Sequence, residues 1–441
     1  MKEVRVGILG LGTVGLGVAR ILLEQQALMA KRLGKTLKLV AAADRDLNRD
    51  FDLDLSDVKL YDDASDLVKA DDVDLVVELI GGYEPARTFV ASAIAHGKHV
   101  VTANKALIAK HGEELFKLAA DKGVSIGFEA AVAGGIPCLK ALREGVAANN
   151  IESVFGILNG TCNFILTKME NEGADYADVL KEAQVLGYAE ADPTFDVEGI
   201  DTAHKLSILA AMAFGSHIKF DEVFTEGISN ISAADIEAVH ELGYRIKLLG
   251  IAKPHRENGE VKQVEMRVHP TLVPLSAQIA QVSDSYNAVM LSGDFVEHTV
   301  YIGRGAGERP TASAVVADIM DISRVFPDGV QFLAPAMGYM ENERKTLQTL
   351  SMVDIQSEYY LRIMAQDKPG VIASVTSILA DHQISLEAMQ QKEHDTGEVV
   401  PVIMLTHETT EGNLQAAMSR ITALKAVEDE VLILRKESFD T

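Results

Sequence analysis

The sequence predicts an α/β chain in three parts: a parallel sheet wrapped by helices, a mixed α+β region, and a small α+β unit at the C-terminal end. Three observations lead there. Over the first 130 residues, short apolar runs alternate with helical patterns, the texture of a parallel sheet with helices on both faces. Beyond Ala130, helices rich in Ala and Leu give way to short alternating runs separated by turn residues, which suits a mixed domain. From Tyr359 to Leu434 the patterns read strand, helix, strand, strand, helix, strand, a ferredoxin-like βαββαβ order. A length of 441 residues suits about three domains of ~100–200 residues each.

Taken in order, Val4–Leu9, Leu37–Ala43, Val73–Ile80, His99–Val101 and Val124–Phe128 are the strands of the first part. Val14–Leu28 and Leu107–Ala120 are among the helices between them, and Gln25–Thr36 extends the first helix. In the middle part Asp175–Gly187, Ile200–Phe214 and Ala233–Ile251 read as helices, and the stretch from Val261 to Tyr301 as strands. Pro310–Val325 is a further helix with proline in its first turn. Asn342–Val353 is a polar, weakly patterned link. In the last part Tyr359–Ala365, Ile384–Lys392, Val399–His407 and Ala426–Leu434 are strands, Pro369–His382 and Glu411–Leu424 are helices, and His394–Glu398 holds a Thr-Gly turn signal.

Composition excludes some classes of function. The formal net charge of −24 argues against a nucleic-acid or anionic-membrane partner, since both need clustered Lys and Arg. Two cysteines, Cys138 and Cys162, with no CxxC spacing suggest neither a disulfide framework nor zinc. The N-terminus enters a strand at once without a leader pattern. No apolar run reaches the ~18 residues of a membrane span. The expectation is a soluble, reduced, cytoplasmic protein.

Chemistry enters with Gly10-Leu11-Gly12-Thr13-Val14-Gly15, which follows a predicted strand and opens a predicted helix. In that context a GxGxxG loop points to a dinucleotide. The first glycine permits the turn, the second lets backbone approach a pyrophosphate, and the third lets helix pack on strand. The helix N-terminus offers N–H groups and partial positive charge to the phosphates. The second strand ends in Asp44-Arg45. An acid there suits the ribose hydroxyls of NAD and an arginine the 2′-phosphate of NADP, so both coenzymes stay open.

Three further clusters carry candidate chemistry. Asp201 and Lys205 share one face of the Ile200–Phe214 helix. The residues after them are nearly all apolar, and burial disfavours a charged lysine while a nearby carboxylate opposes that. A lysine so placed can pass a proton; the same spacing also occurs in plain surface pairs. Gly187-Tyr188-Ala189-Glu190-Ala191-Asp192-Pro193-Thr194-Phe195-Asp196 puts three carboxylates in a Gly/Pro-flanked loop, which suits a substrate ammonium or merely a solvated acidic loop. Thr102-Ala103-Asn104-Lys105 follows a predicted central strand, at the sheet edge where ligands bind in open α/β folds. Lys105 can reach a ligand from there, the plainer reading being a helix-capping Asn beside a surface Lys.

The set GLGTVG, TANK, FEAAVAGGIP, GILNGTCNFI, GYAEADPTFDVEGIDTAHKLSILA and GAGERPTASAVVADI resembles homoserine dehydrogenase in order and spacing across roughly residues 1–340. The tail, with Asp367-Lys368-Pro369-Gly370-Val371 at its first turn, resembles an ACT domain. The resemblance implies a Rossmann-type NAD(P)-binding domain at 1–130 completed by helix 310–335, a catalytic and dimerisation domain at 131–309, a linker at 336–354 and an ACT regulatory domain at 355–441. It implies interconversion of L-homoserine and L-aspartate 4-semialdehyde with NADP or NAD. It assigns proton transfer to Lys205 with Asp201 beside it, and puts Lys105 and Thr102 at cofactor positions, Lys105 touching substrate too. Glu190 falls on the substrate amino group; Gly160, Thr161 and Tyr188 line the substrate, and Asp196 is a further acid. Gly10, Gly12, Thr13, Val14, Gly15, Asp44 and Arg45 hold the dinucleotide, with Gly307 and Glu308 near the nicotinamide. A sodium ion is implied at Glu129 and the carbonyls of Val132, Gly134 and Ile136. Threonine is the implied allosteric effector, at the Asp367–Gly370 turn, and the assembly a homodimer or homotetramer. The rival readings are an aspartate-dehydrogenase type of enzyme and a non-catalytic amino-acid sensor.

Overall fold

A computed structural model of the chain describes residues 2–326, 334–391 and 399–439. They divide into two compact units: Met1–Gly160 with Asp201–Val223 and Tyr286–Leu347, and Thr161–Ile200 with Phe224–Ser285 and Gln348–Thr441.

The first unit is built on a parallel sheet. Its strands are β1 (Glu3–Leu9), β2 (Thr36–Ala43), β3 (Lys59–Tyr61), β4 (Leu75–Glu78), β5 (His99–Thr102) and β6 (Ile126–Gly127), in the order β3-β2-β1-β4-β5-β6. Val6 faces Leu39 on one side and Leu75 on the other. The order reverses between β1 and β4, and the loops at their C-terminal ends border the crevice where such sheets bind ligands. Val6, Ile8, Leu37, Leu75 and Val77 pack with Val18 and Leu22 of the Thr13–Glu24 helix and with Val315, Ile319 and Ile322 of the Glu308–Val325 helix. Residues far apart in sequence thus close one core. The expected single helix from Val14 is two, Thr13–Glu24 and Gln26–Leu33, broken at Gln25. The residues around the break are exposed, so nothing anchors a continuous axis, and Gly34 in the left-handed region (φ 72°) ends the second piece.

The same unit holds an antiparallel trio, Ile151–Ile157, Tyr286–Gly293 and Glu297–Arg304. It also holds the Ile200–Phe214 helix, buried on every side from Asp201 onward, which its nearly unbroken apolar sequence requires.

In the second unit Ala233–Glu241 is helical but Tyr244–Glu257 is a strand, correcting the helix expected through Ile251. Gly243 (φ 87°) ends the helix, and the apolar run Leu248–Ala252 is buried continuously, a pattern that fits a buried strand as well as a helix. This strand pairs with Glu260–Pro274 across an Asn258-Gly259 turn with both φ positive, the hairpin geometry that Asn-Gly favours. Val427–Lys436, Gln356–Gln366, Val399–Thr406 and Leu386–Gln391 continue the sheet in that order. With helices Val371–Asp381 and Glu411–Ile421 they form the βαββαβ unit around Leu361, Ile363, Val375, Met404 and Leu414. The expected link around 342–353 contributes a short strand, Gln348–Thr349, against Gln263 and Val264. The His394–Glu398 turn, Lys392 and the 327–333 part of the expected 310–335 helix lie outside the described residues. Among the described residues no helix is long and apolar enough to cross a membrane.

Candidate active site

The nucleotide loop has the geometry its glycines require. Gly10 has φ 91°, and a Cβ there would lie 2.9 Å from the Leu79 carbonyl oxygen. A Cβ on Gly15 would collide with the Gly10 carbonyl, whereas one on Gly12 would meet nothing within 4 Å. The second glycine therefore faces open space at the N-cap of the Thr13–Glu24 helix. Asp44 is pinned to the loop: its carboxylate accepts from Leu11 N (2.7 Å) and Asp46 N (3.1 Å). Arg49 bonds both the Leu11 carbonyl and Asp44. Gly10, Gly12, Asp44, Arg45, Asp62 and Asp63 line a cavity of about 520 Å³, a size typical of small-molecule sites. Gly17, one turn into the helix, leaves room for Glu308, whose Cγ would be 2.8 Å from a Cβ there. Gly307 caps the Glu308–Val325 helix. Gly307 and Glu308 thus stand beside the loop's helix.

At the end of β5, Thr102 is fully buried and donates to Glu78 Oε2 (2.6 Å). Glu78 also accepts from Ile80 N and Gly81 N. Asn104 caps the Lys105–Lys122 helix through Leu107 N (3.1 Å), as the plainer reading held. Lys105, however, turns to Asp201: Nζ is 3.2 Å from Oδ1.

Asp201 is the centre of the cluster. Its Oδ2 accepts from Lys205 Nζ (2.7 Å) and Asn159 Nδ2 (3.0 Å). Lys205 Nζ donates in addition to the Leu158 carbonyl (2.6 Å). Burial would raise the Asp201 pKa, but the charges of Lys205 and Lys105 and the bonds from Lys205 and Asn159 outweigh it and hold it at about 2. The i,i+4 pair is therefore buried, with a carboxylate held ionised between two ammonium groups. Next to it His204 packs its ring on Phe220, centroids 4.0 Å apart, with Nε2 3.4 Å from Tyr83 Oη. Burial, then the Lys105 charge, lowers its pKa to about 4, so the imidazole is neutral at physiological pH.

A second buried acid lies in the turn after β6. Glu129 accepts from Leu139 N through Oε1 (2.9 Å), while Oε2 has no partner among the described residues. Its own N–H donates to buried Asp318 (2.8 Å). Burial and the Asp318 charge raise the Glu129 pKa to about 8, and burial raises that of Asp318 to about 6. Val132 and Ile136 follow, both buried, with Gly134 at φ 52° where any side chain would strike the Gly305 carbonyl.

The remaining positions belong to the second unit, apart from Gly160, which opens the Gly160–Glu172 helix. Thr161 Oγ1 donates to the Tyr188 carbonyl (2.6 Å), and Cys162 Sγ to the Asp196 carbonyl (3.2 Å). Tyr188 stacks at a tilt on Phe164. Glu190 is exposed, its carbonyl held by Gln184 Nε2 (3.0 Å), and Asp196 lies half-buried in the short Thr194–Val197 helix.

Residues 10–129 match the family profile "Homoserine dehydrogenase, NAD binding domain", 137–320 match "Homoserine dehydrogenase", and 359–426 match "ACT domain". A homoserine dehydrogenase of Pseudomonas aeruginosa is 47% identical over 441 residues, covering 100% of both chains. The chain belongs to the homoserine dehydrogenase family. A homoserine dehydrogenase of Neisseria gonorrhoeae is 46% identical over 438 residues, 99% of each chain. The crystal structure of a homoserine dehydrogenase from Thiobacillus denitrificans is 50% identical, covers 99% of each chain and superposes with a TM-score of 0.93. This member of the family is thus an oxidoreductase that uses a nicotinamide cofactor and carries an ACT domain.

For a homoserine dehydrogenase, motif reading named most of the polar side chains in the lysine–carboxylate cluster and missed others. Asn159, whose amide bonds Asp201, precedes Gly160 in the GILNGTCNFI stretch, and that place in the motif was the sequence signal within reach. Arg49 lies five residues past Asp44 with no motif to mark it, and Asp318, though inside the GAGERPTASAVVADI stretch, meets Glu129 across 189 positions of sequence, which only the fold brings together.

Proposed function

We propose that the chain interconverts L-homoserine and L-aspartate 4-semialdehyde with Lys205 as the proton-transfer group. The observation that carries this is the buried Lys205–Asp201 pair at 2.7 Å with the half-buried Lys105 at 3.2 Å from the same carboxylate. Reduction of an aldehyde requires hydride on carbon and a proton on oxygen, and the nicotinamide supplies the hydride when bound. Lys205 gives the proton, or stabilises the developing alkoxide, while Asp201 fixes its direction. Lys105 adds a second cation beside cofactor and substrate. Glu190 takes the substrate ammonium; Gly160, Thr161, Tyr188 and Asp196 line the substrate.

The dinucleotide fits this loop. Gly12 leaves open space where backbone must approach a pyrophosphate, and the cavity between Gly10 and Asp44 has room for a nucleoside. Thr13, Val14 and Gly15 present the helix N-terminus; Asp44 and Arg45 meet the ribose; Thr102, Gly307 and Glu308 border the nicotinamide side. A sodium ion also fits its site: a buried carboxylate oxygen without a partner, next to a second buried acid, is a hard-oxygen set for a cation. Glu129 and the carbonyls of Val132, Gly134 and Ile136 would hold it, screening the two acids and fixing the turn.

The domains of this reading are 1–130 with helix 310–335, 131–309, linker 336–354 and ACT domain 355–441. The ACT domain binds threonine at the turn where Gly370 adopts φ 91° and inhibits. The working form is a cytoplasmic homodimer or homotetramer. The test is an assay of purified protein with homoserine and, separately, aspartate, each with NAD⁺ and NADP⁺, with and without millimolar threonine. Homoserine oxidation that threonine slows is the expected result. Turnover of aspartate instead favours the rival enzyme, and no threonine effect removes the feedback claim.

A further inference from the structure

The Gly160–Glu172 helix opens with three consecutive side chains that each donate to a backbone carbonyl outside the helix. Thr161 bonds Tyr188 (2.6 Å), Cys162 bonds Asp196 (3.2 Å) and Asn163 bonds Val282 (3.1 Å). Tyr188 and Asp196 bracket the acidic loop, so the first turn of this helix ties both ends of that loop.

Behind Asn163 stands a side chain that no motif marks. Lys247, in the Tyr244–Glu257 strand, is 1% exposed. Its Nζ donates to Asn163 Oδ1 (2.9 Å) and to the same Val282 carbonyl (2.7 Å) that Asn163 Nδ2 reaches. Ammonium, amide and carbonyl form a closed triangle. Among the described residues no carboxylate forms an ion pair with Nζ. The charged groups around it are Arg245 on the same strand, Glu170 on the helix and Asp284 beyond Val282, and Arg245 is itself paired with Glu170 (2.7 Å). Burial lowers the lysine's pKa to about 8. A buried ammonium without a counter-ion is costly, and an apolar side chain of similar volume commonly stabilises such a position. What the ammonium adds is direction, through two charge-assisted hydrogen bonds of fixed geometry.

Resting on the reading that Thr161 and the acidic loop receive homoserine, we propose that Lys247 is a positioning residue: through Asn163 and Val282 it sets the first turn of the Gly160–Glu172 helix, and with it the loop from Tyr188 to Asp196. Small displacements of a binding group are expensive in turnover.

The test combines kinetics with backbone exchange on the full chain. Lys247→Met removes the donor, and Asn163→Ala removes the amide while leaving the lysine in place, in case the first variant does not fold. In both, KM for homoserine rises by about tenfold while KM for the coenzyme stays within about twofold. Asn163→Asp, which keeps an oxygen acceptor for Nζ, recovers most of the difference. Hydrogen exchange in residues 160–166 and 187–199 speeds up in Lys247→Met relative to the remainder of the chain. An unchanged homoserine KM with unchanged exchange overturns the proposal. So does a uniform fall in both KM-independent turnover and thermal stability, which marks a purely structural lysine. If the unmodified chain fails to oxidise homoserine, the substrate reading fails, and the exchange data still decide the clamp.

Discussion

Asp201 and Glu129 are equally buried, each 4% exposed, yet differ in charge at neutral pH, the first ionised and the second mostly protonated. Asp201 lies between two ammonium groups and has a pKa of about 2; Glu129 lies beside Asp318 and has a pKa of about 8. Burial pushes both upward, so the difference comes from the neighbours. The first environment fixes a permanent anion that aims two lysines. The second sets two buried acids side by side, opposed by the charge of Arg143 but with burial prevailing. One unit thus contains a carboxylate held ionised and a carboxyl held protonated.

Four outcomes sharpen or break that contrast. The largest is expected for Asp201→Asn. It strips the anion from two cations, so kcat/KM falls by roughly 10³, and stability drops by about 3 kcal/mol because a buried ammonium loses its partner. Steady-state kinetics and denaturant unfolding measure both; a loss of activity under tenfold would break the cluster reading. Lys105→Met comes next, with kcat/KM down roughly 10² and the Asp201 carboxylate, followed by carbon-13 NMR, titrating closer to its ordinary 3.8.

For Glu129 the sign is reversed. Its folded pKa, about 8, exceeds the ordinary 4.5, so the folded form binds the proton more tightly and stability falls as pH rises through that window. Sodium favours the ionised form and opposes the fall. Thermal unfolding at constant ionic strength should show sodium stabilising the chain over choline more at pH 8 than at pH 5, and Glu129→Gln should abolish the difference. Equal responses at both pH values would count against a cation there. The smallest effect lies at the acid end. Asp201 contributes stability that is complete above its unfolded pKa and is lost as pH falls from about 4 towards 2; Asp201→Asn should flatten that part of the pH–stability curve, and an identical curve would deny the depressed pKa.

What the sequence made legible were features of short range. β1, β2 and the glycine loop follow from periodicity and spacing, and the Asp201/Lys205 pair from one helical turn in an apolar helix. Segments failed where two periods overlap: the apolar run at Leu248–Ala252 suits helix and strand alike, and only pairing with Glu260–Pro274 decides it. β3, three residues long, is too short to show a period. The charge partners failed for another reason. Lys105 and Asp201 are separated by nearly a hundred residues, and Thr102 meets Glu78 only because β4 and β5 pair across 24 positions of sequence; no local rule joins them. The Asn104 cap was foreseen as the plainer reading of TANK, while the turn of Lys105 towards Asp201 needed the fold.

The most direct measurement is homoserine turnover by Lys205→Ala, with coenzyme binding to the same protein followed by fluorescence titration. Turnover reduced between about 10² and 10⁴, with coenzyme affinity unchanged, is the predicted result. Wild-type turnover in that variant would contradict the account, because no other ammonium is bonded as Lys205 is to both Asp201 and the Leu158 carbonyl among the described residues.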